Sequence, residues 1–74
     1  MTKKYDVAVV GATGAVGEVM LAMLAQRQFP INNIYALASA RSVGKQVVCG
    51  DRQIEVQDLA EFDFSKVQIG LFSA

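Results

Sequence analysis

Three glycines spaced G-x-x-G-x-x-G, at Gly11, Gly14 and Gly17, carry the clearest chemical signal in the chain. They follow the β-branched run Tyr5-Asp6-Val7-Ala8-Val9-Val10 and open a helical pattern. Strand, tight turn and helix start are the context in which such a spacing binds phosphate. Gly11 permits the turn out of the strand, and Gly14 lets backbone approach a phosphate with no Cβ in the way. Gly17 lets the helix lie close against the sheet. The first N–H groups of the helix, with the positive end of its dipole, suit a pyrophosphate. The spacing differs by one residue from G-x-G-x-x-G, so the position between strand and helix carries the reading more than the pattern does. A purely structural strand-to-helix turn is the alternative.

A second group lies about twenty residues on, where a dinucleotide site selects its ligand. Sites for NAD place an Asp or Glu at the end of the second strand to hold the ribose 2′-OH. Here that place is Ala38-Ser39, with no carboxylate near it, and Ser39, Arg41, Ser42 and Lys45 follow. Arginine meets a phosphate as a planar fork, and hydroxyls add donors. The loop therefore reads as a 2′-phosphate site and the ligand as NADP. The same residue types also build ordinary solvated loops.

Other chemistries lack their parts. The chain has one cysteine, Cys49, and no histidine. A nucleophilic thiol needs a base or a cation to lower its pKa, and Cys49 sits beside Val47 and Val48, where a thiol acts as a small hydrophobe. One Cys without His makes neither a disulfide nor a thiolate metal site. Seven Lys and Arg balance seven Asp and Glu with no basic run, which excludes a basic nucleic-acid binder. No apolar stretch approaches the roughly 20 residues of a membrane helix. Met1-Thr2-Lys3-Lys4 does not open a signal peptide. These features together predict a cytoplasmic protein.

The elements that must position the two groups follow from periodicity. Residues 5–10 predict a strand buried on both faces. Val16, Val19, Met20, Met23 and Leu24 recur at helical spacing and predict the buried stripe of a helix. Glu18 falls in its first turn and Arg27 in its last, and Phe29-Pro30 stops it. Residues 31–33 read as a loop and 34–38 as a second strand. Residues 46–49 and 52–56 read as a hairpin about Gly50-Asp51, and 67–72 as a last strand after an irregular stretch. Phe62 and Phe64 are expected to pack under the sheet.

Strand, glycine turn, helix and strand in about thirty residues make a βαβ unit with parallel strands. The fold class is α/β, the amino-terminal part of a Rossmann-type doubly wound parallel sheet, with the hairpin and a further strand added to the βαβ unit. Apolar residues make up 53% of the chain and charged ones 19%. Strands apolar on both faces need helices on both, and only one strong helix is predicted. The 74 residues therefore read as a piece of a larger protein.

Taken in order, Val9-Val10-Gly11-Ala12-Thr13-Gly14-Ala15-Val16-Gly17, Ile34-Tyr35-Ala36-Leu37-Ala38-Ser39-Ala40-Arg41-Ser42 with Gly44-Lys45, Phe62-Asp63-Phe64-Ser65 and Leu71-Phe72-Ser73-Ala74 resemble the amino-terminal portion of the aspartate-β-semialdehyde dehydrogenase family. The resemblance covers the whole chain, and the Ala-Ser-Ala-Arg-Ser loop is its most specific part. It implies that residues 1–74 begin a dinucleotide-binding domain, with a catalytic and dimer-forming domain outside them. It implies an NADP-dependent oxidoreductase of amino-acid biosynthesis that reduces β-aspartyl phosphate with NADPH to aspartate semialdehyde, working as a homodimer.

By position, Thr13, Gly14, Ala15 and Val16 would hold the cofactor's phosphates, and Ser39, Arg41 and Ser42 its 2′-phosphate. Ser73 would lie near the nicotinamide. The family's nucleophilic cysteine, acid/base histidine and substrate arginine fall beyond residue 74, and Cys49 matches none of its catalytic positions. Paralogues of the family that have lost the activity share this amino-terminal half, and Arg27-Gln28-Phe29-Pro30 fits them too. The intact Ser39-Ala40-Arg41-Ser42 loop favours a cofactor-binding member.

Overall fold

The computed structural model describes residues 3–72. Five strands, β1 (Tyr5–Val10), β2 (Ile31–Ala38), β3 (Gln46–Cys49), β4 (Arg52–Asp58) and β5 (Ile69–Phe72), form one sheet in the order β3-β4-β2-β1-β5. The helix α1 (Ala15–Gln26) joins β1 to β2, which run parallel. β5 is parallel to β1 on its other side, and β4 is parallel to β2 through Ala36↔Val56, Leu37↔Gln57 and Ala38↔Asp58. β3 and β4 are the predicted antiparallel hairpin, closed by Gly50 and Asp51, with Gly50 at φ +65°. The α/β class, the βαβ unit, the hairpin and the added strand are all present.

The core forms on both faces of β1, as a central parallel strand requires. Val7 and Val9 belong to the larger cluster with Leu21, Ile34, Ala36, Cys49, Ile54 and Val56. Ala8 and Val10 point the other way, to Leu37, with Tyr35, Leu59, Phe62 and Val67 packed over them. Among the described residues no α-helix packs on that second face; its cover comes from Leu59, Phe62 and Val67, in and beside the 3₁₀ turns Leu59–Glu61 and Phe64–Lys66. Phe62 packs under the sheet as predicted, but Phe64 is exposed and stacks on Phe72, itself 68% exposed.

The helix differs from the expected stripe. Its buried residues are Gly17 and Leu21, flanked by half-buried Met20, Leu24 and Ala25, while Val16, Val19 and Met23 are exposed. The cause is Gly17. A Cβ there would lie 2.2 Å from the Gly11 carbonyl oxygen, so the helix seats its smallest residue on the preceding turn. At 100° per residue that contact turns Leu21, Leu24 and Ala25 inward and Val16, Val19 and Met23 outward. The helix also closes before Phe29-Pro30. Arg27 is its C-cap rather than part of the last turn, and Gln28 is left-handed at φ +53°. The Gln28 and Phe29 amides donate to the Ala25 and Leu24 carbonyls, both at 3.1 Å, which is the Schellman closure.

β2 starts at Ile31, where a loop was expected. Tyr5 pairs with Ile31 and Val7 with Ile34, so Asn32 and Asn33 together face Asp6 in a β-bulge. The Asp6 carboxylate fills it, accepting from Asn32 Nδ2 (3.1 Å), the Asn33 amide (3.1 Å) and Asn33 Nδ2 (3.0 Å). β5 starts at Ile69, two residues later than expected. Val67 packs on the second face, and the Gln68 amide donates to the Asp6 carbonyl at 3.0 Å.

Candidate functional site

β1, β2 and β5 end at one edge of the sheet, since Val10 is in register with both Leu37 and Phe72. The chain order reverses at β1, with β2 on one side and β5 on the other. That makes the carboxyl end of β1 the switch point where open α/β sheets bind ligands. The glycine turn stands there, and the loop after Ala38 beside it.

The glycine turn is built from main-chain groups. Gly11 has φ +79°, and the Gly11 and Ala12 amides both donate to the Leu37 carbonyl, at 2.8 and 3.2 Å. The Gly14 amide donates back to the Gly11 carbonyl at 3.0 Å. Gly14 is the N-cap of α1, extended at φ −82° and ψ 168°, and no side chain caps the helix. Thr13 is half-buried, and Gly14, Ala15 and Val16 are exposed. The turn therefore presents main-chain groups at Gly14, beside the exposed Ala15 and Val16, at the positive end of the helix.

The three glycines separate by cause. Gly11 is required by its positive φ, and Gly17 by the backbone it touches. Gly14 is required by neither. Its φ suits any residue, and a Cβ would meet only the Gly11 carbonyl oxygen at 3.5 Å, an ordinary contact.

The second loop leaves β2 at Ala38 and forms a 3₁₀ turn, Ala40–Ser42. Ser39 and Arg41 are exposed and Ser42 is half-buried. Lys45, also exposed, is tied by its main chain to β4. Sequence order alone hides one carboxylate here. Strand pairing sets Asp58 beside Ala38, but its Oδ1 accepts the Ala60 amide at 2.9 Å and serves as a turn cap. Ser73 lies outside the described residues.

Cys49 is core, as its neighbours predicted. It is buried, and its Sγ–H donates to the Leu21 carbonyl at 3.3 Å. Burial pushes its pKa up from the ordinary value of 9.0, against the pull of Arg52 and with the push of Asp51. The folded state thus holds the thiol proton more tightly. The stability this contributes is whole below pH 9.0 and is lost as pH rises toward the folded pKa. Alkylation by iodoacetamide at pH 8 should run more than about tenfold slower in native than in denatured protein. Equal rates would show the thiol to be accessible.

A switch-point turn opening a helix, on a mostly parallel sheet, defines a Rossmann-type nucleotide-binding domain. Residues 6–74 match the family model described as semialdehyde dehydrogenase, NAD binding domain, and the chain belongs to that family. Over all 74 residues it is 60% identical to the aspartate-semialdehyde dehydrogenase of Legionella pneumophila, of which it spans 21%. It is 51% identical to that of Rickettsia bellii, of which it spans 22%. The crystal structure of aspartate semialdehyde dehydrogenase II complexed with ASA from Vibrio cholerae superposes with a TM-score of 0.93 at 49% identity, over 97% of this chain and 24% of that one. A probable aspartate-semialdehyde dehydrogenase from Pseudomonas aeruginosa gives 0.91 at 42% identity, over 97% and 22%. The chain thus spans between a fifth and a quarter of these relatives. Among the described residues no helix is long and apolar enough to cross a membrane.

Proposed function

We propose that these residues are the amino-terminal part of the dinucleotide-binding domain of an NADP-dependent aspartate-semialdehyde dehydrogenase. In this reading the enzyme is a cytoplasmic homodimer of amino-acid biosynthesis that reduces β-aspartyl phosphate to aspartate semialdehyde. Thr13, Gly14, Ala15 and Val16 hold the pyrophosphate on the cofactor-binding turn that Gly11 and Gly17 shape, Ser39, Arg41 and Ser42 hold the 2′-phosphate, and Ser73 lies near the nicotinamide end. NADPH bound there supplies the hydride. The chain's own residues bind and orient it.

The observation that carries the reading is Gly14. Neither its dihedral angles nor its neighbours require glycine, so the helix start is left open to a group approaching its backbone. A phosphate lying against the uncapped helix start is that group. The exposed Arg41 between two serines supplies the fork and hydroxyls that a 2′-phosphate accepts. No catalytic residue is assigned here, because the chain has no histidine and its cysteine is buried.

The test is the reverse reaction in the full-length protein. Aspartate semialdehyde, inorganic phosphate and NADP should together give NADPH, with no product when phosphate is omitted. NADPH binding without turnover would indicate an inactive member of the family, and absence of dinucleotide binding would overturn the reading altogether.

A further inference from the structure

We propose that Gly44 is a specificity-positioning residue, which fixes the Arg41 turn to β4 and so lets Arg41 discriminate NADPH from NADH. The proposal rests on the reading that Arg41 meets the 2′-phosphate.

Among the described residues the Arg41 side chain has no hydrogen bond or ion pair, so its place depends on the main chain that carries it. That main chain is fastened at both ends to neighbouring strands. It leaves β2 at Ala38 and returns to β4, where the Gly44 amide donates to the Val56 carbonyl at 3.1 Å. The Val56 amide donates back to the Lys45 carbonyl at 2.8 Å. Val56 is fully buried and pairs with Ala36 of β2, so the anchor belongs to the core. Inside the span, Ser42 N–H to Ser39 O (2.9 Å) and Lys45 N–H to Ser42 O (3.1 Å) wind the turn.

Gly44 makes this return possible. Its φ is +92°, and nothing lies within 4 Å of where a Cβ would stand. Packing therefore does not ask for glycine, and backbone conformation does. A β-branched residue at that φ is strained. The strain is relieved by giving up the two bonds to Val56, after which the turn bearing Arg41 is held only from outside, at Ala38 on β2 and at Gln46 where β3 pairs with β4. An arginine whose backbone wanders must be ordered afresh on each binding event, at a cost in side-chain and loop entropy.

The experiment uses the full-length protein with Gly44→Val, Gly44→Asn and Arg41→Ala, titrated with NADPH and with NADH. Gly44→Val should weaken NADPH binding about tenfold and leave NADH binding unchanged. Gly44→Asn should fall between it and wild type, because Asn tolerates positive φ better. Combining Gly44→Val with Arg41→Ala should add nothing to the loss from Arg41→Ala alone. Unchanged NADPH affinity in Gly44→Val, equal loss for both cofactors, or simple additivity in the double variant would overturn the proposal. Should Gly44→Val fail to fold, Gly44→Asn carries the same comparison. A failure of Arg41→Ala to discriminate between the cofactors would instead strike the 2′-phosphate reading itself.

Discussion

Gly17→Ala should destabilise the protein by about 3 kcal/mol or more, a large loss for one methyl group. The added Cβ would stand 2.2 Å from the Gly11 oxygen, 2.7 Å from the Ala12 Cα and 2.9 Å from the Gly11 carbonyl carbon. All three are main-chain atoms, so no rotamer relieves the clash. The turn cannot retreat cheaply either, because the Gly11 and Ala12 amides are bound to the Leu37 carbonyl of β2. Lifting the helix instead would pull Leu21 out of the core, where it is 1% exposed. Gly14→Ala, three residues earlier, should stay within about 0.5 kcal/mol of wild type, since its Cβ makes only an ordinary contact. Denaturant midpoints of the two variants check the pair. Native stability in Gly17→Ala would show that the helix does not rest on that turn.

This contrast marks how far the chain could be read unfolded. The run Tyr5–Val10, the glycine turn, the hairpin and the parallel βαβ unit were legible because each has a local cause: a short apolar run, positive φ, a two-residue turn. The facing of α1 was not. Counting apolar residues picks out Val16, Val19 and Met23, yet the helix is apolar nearly all round and its phase is set by Gly17, which has no side chain to count. The start of β2 was missed for a similar reason. Two successive asparagines break strand alternation, and only Asp6, distant in sequence, absorbs them as a bulge. The nearness of Asp58 to Ala38 is likewise a product of strand pairing. In the candidate site the residue types were readable, but the distinction between Gly14 and its two neighbours needed coordinates.

Arg41→Ala should weaken NADPH binding by about ten- to a hundredfold and leave NADH binding nearly unchanged. A charge-assisted contact to phosphate typically contributes about 1.5–3 kcal/mol, at ~1.4 kcal/mol per decade of affinity. Arg41 is exposed, and Asp58, the carboxylate that strand pairing sets beside Ala38, accepts the Ala60 amide as a turn cap. NADH lacks the 2′-phosphate and has nothing to lose. Gly14→Val should behave in the opposite manner. Its φ of −82° suits any residue and its Cβ would meet only the Gly11 carbonyl oxygen at 3.5 Å, while the branched side chain covers the backbone where a pyrophosphate would lie. It should weaken both cofactors together while the melting temperature holds, because the pyrophosphate is common to both. Titrating NADPH and NADH against each variant separates the two groups of residues. Equal losses in Arg41→Ala would remove the 2′-phosphate assignment, and undiminished binding in Gly14→Val would move the pyrophosphate away from the glycine turn.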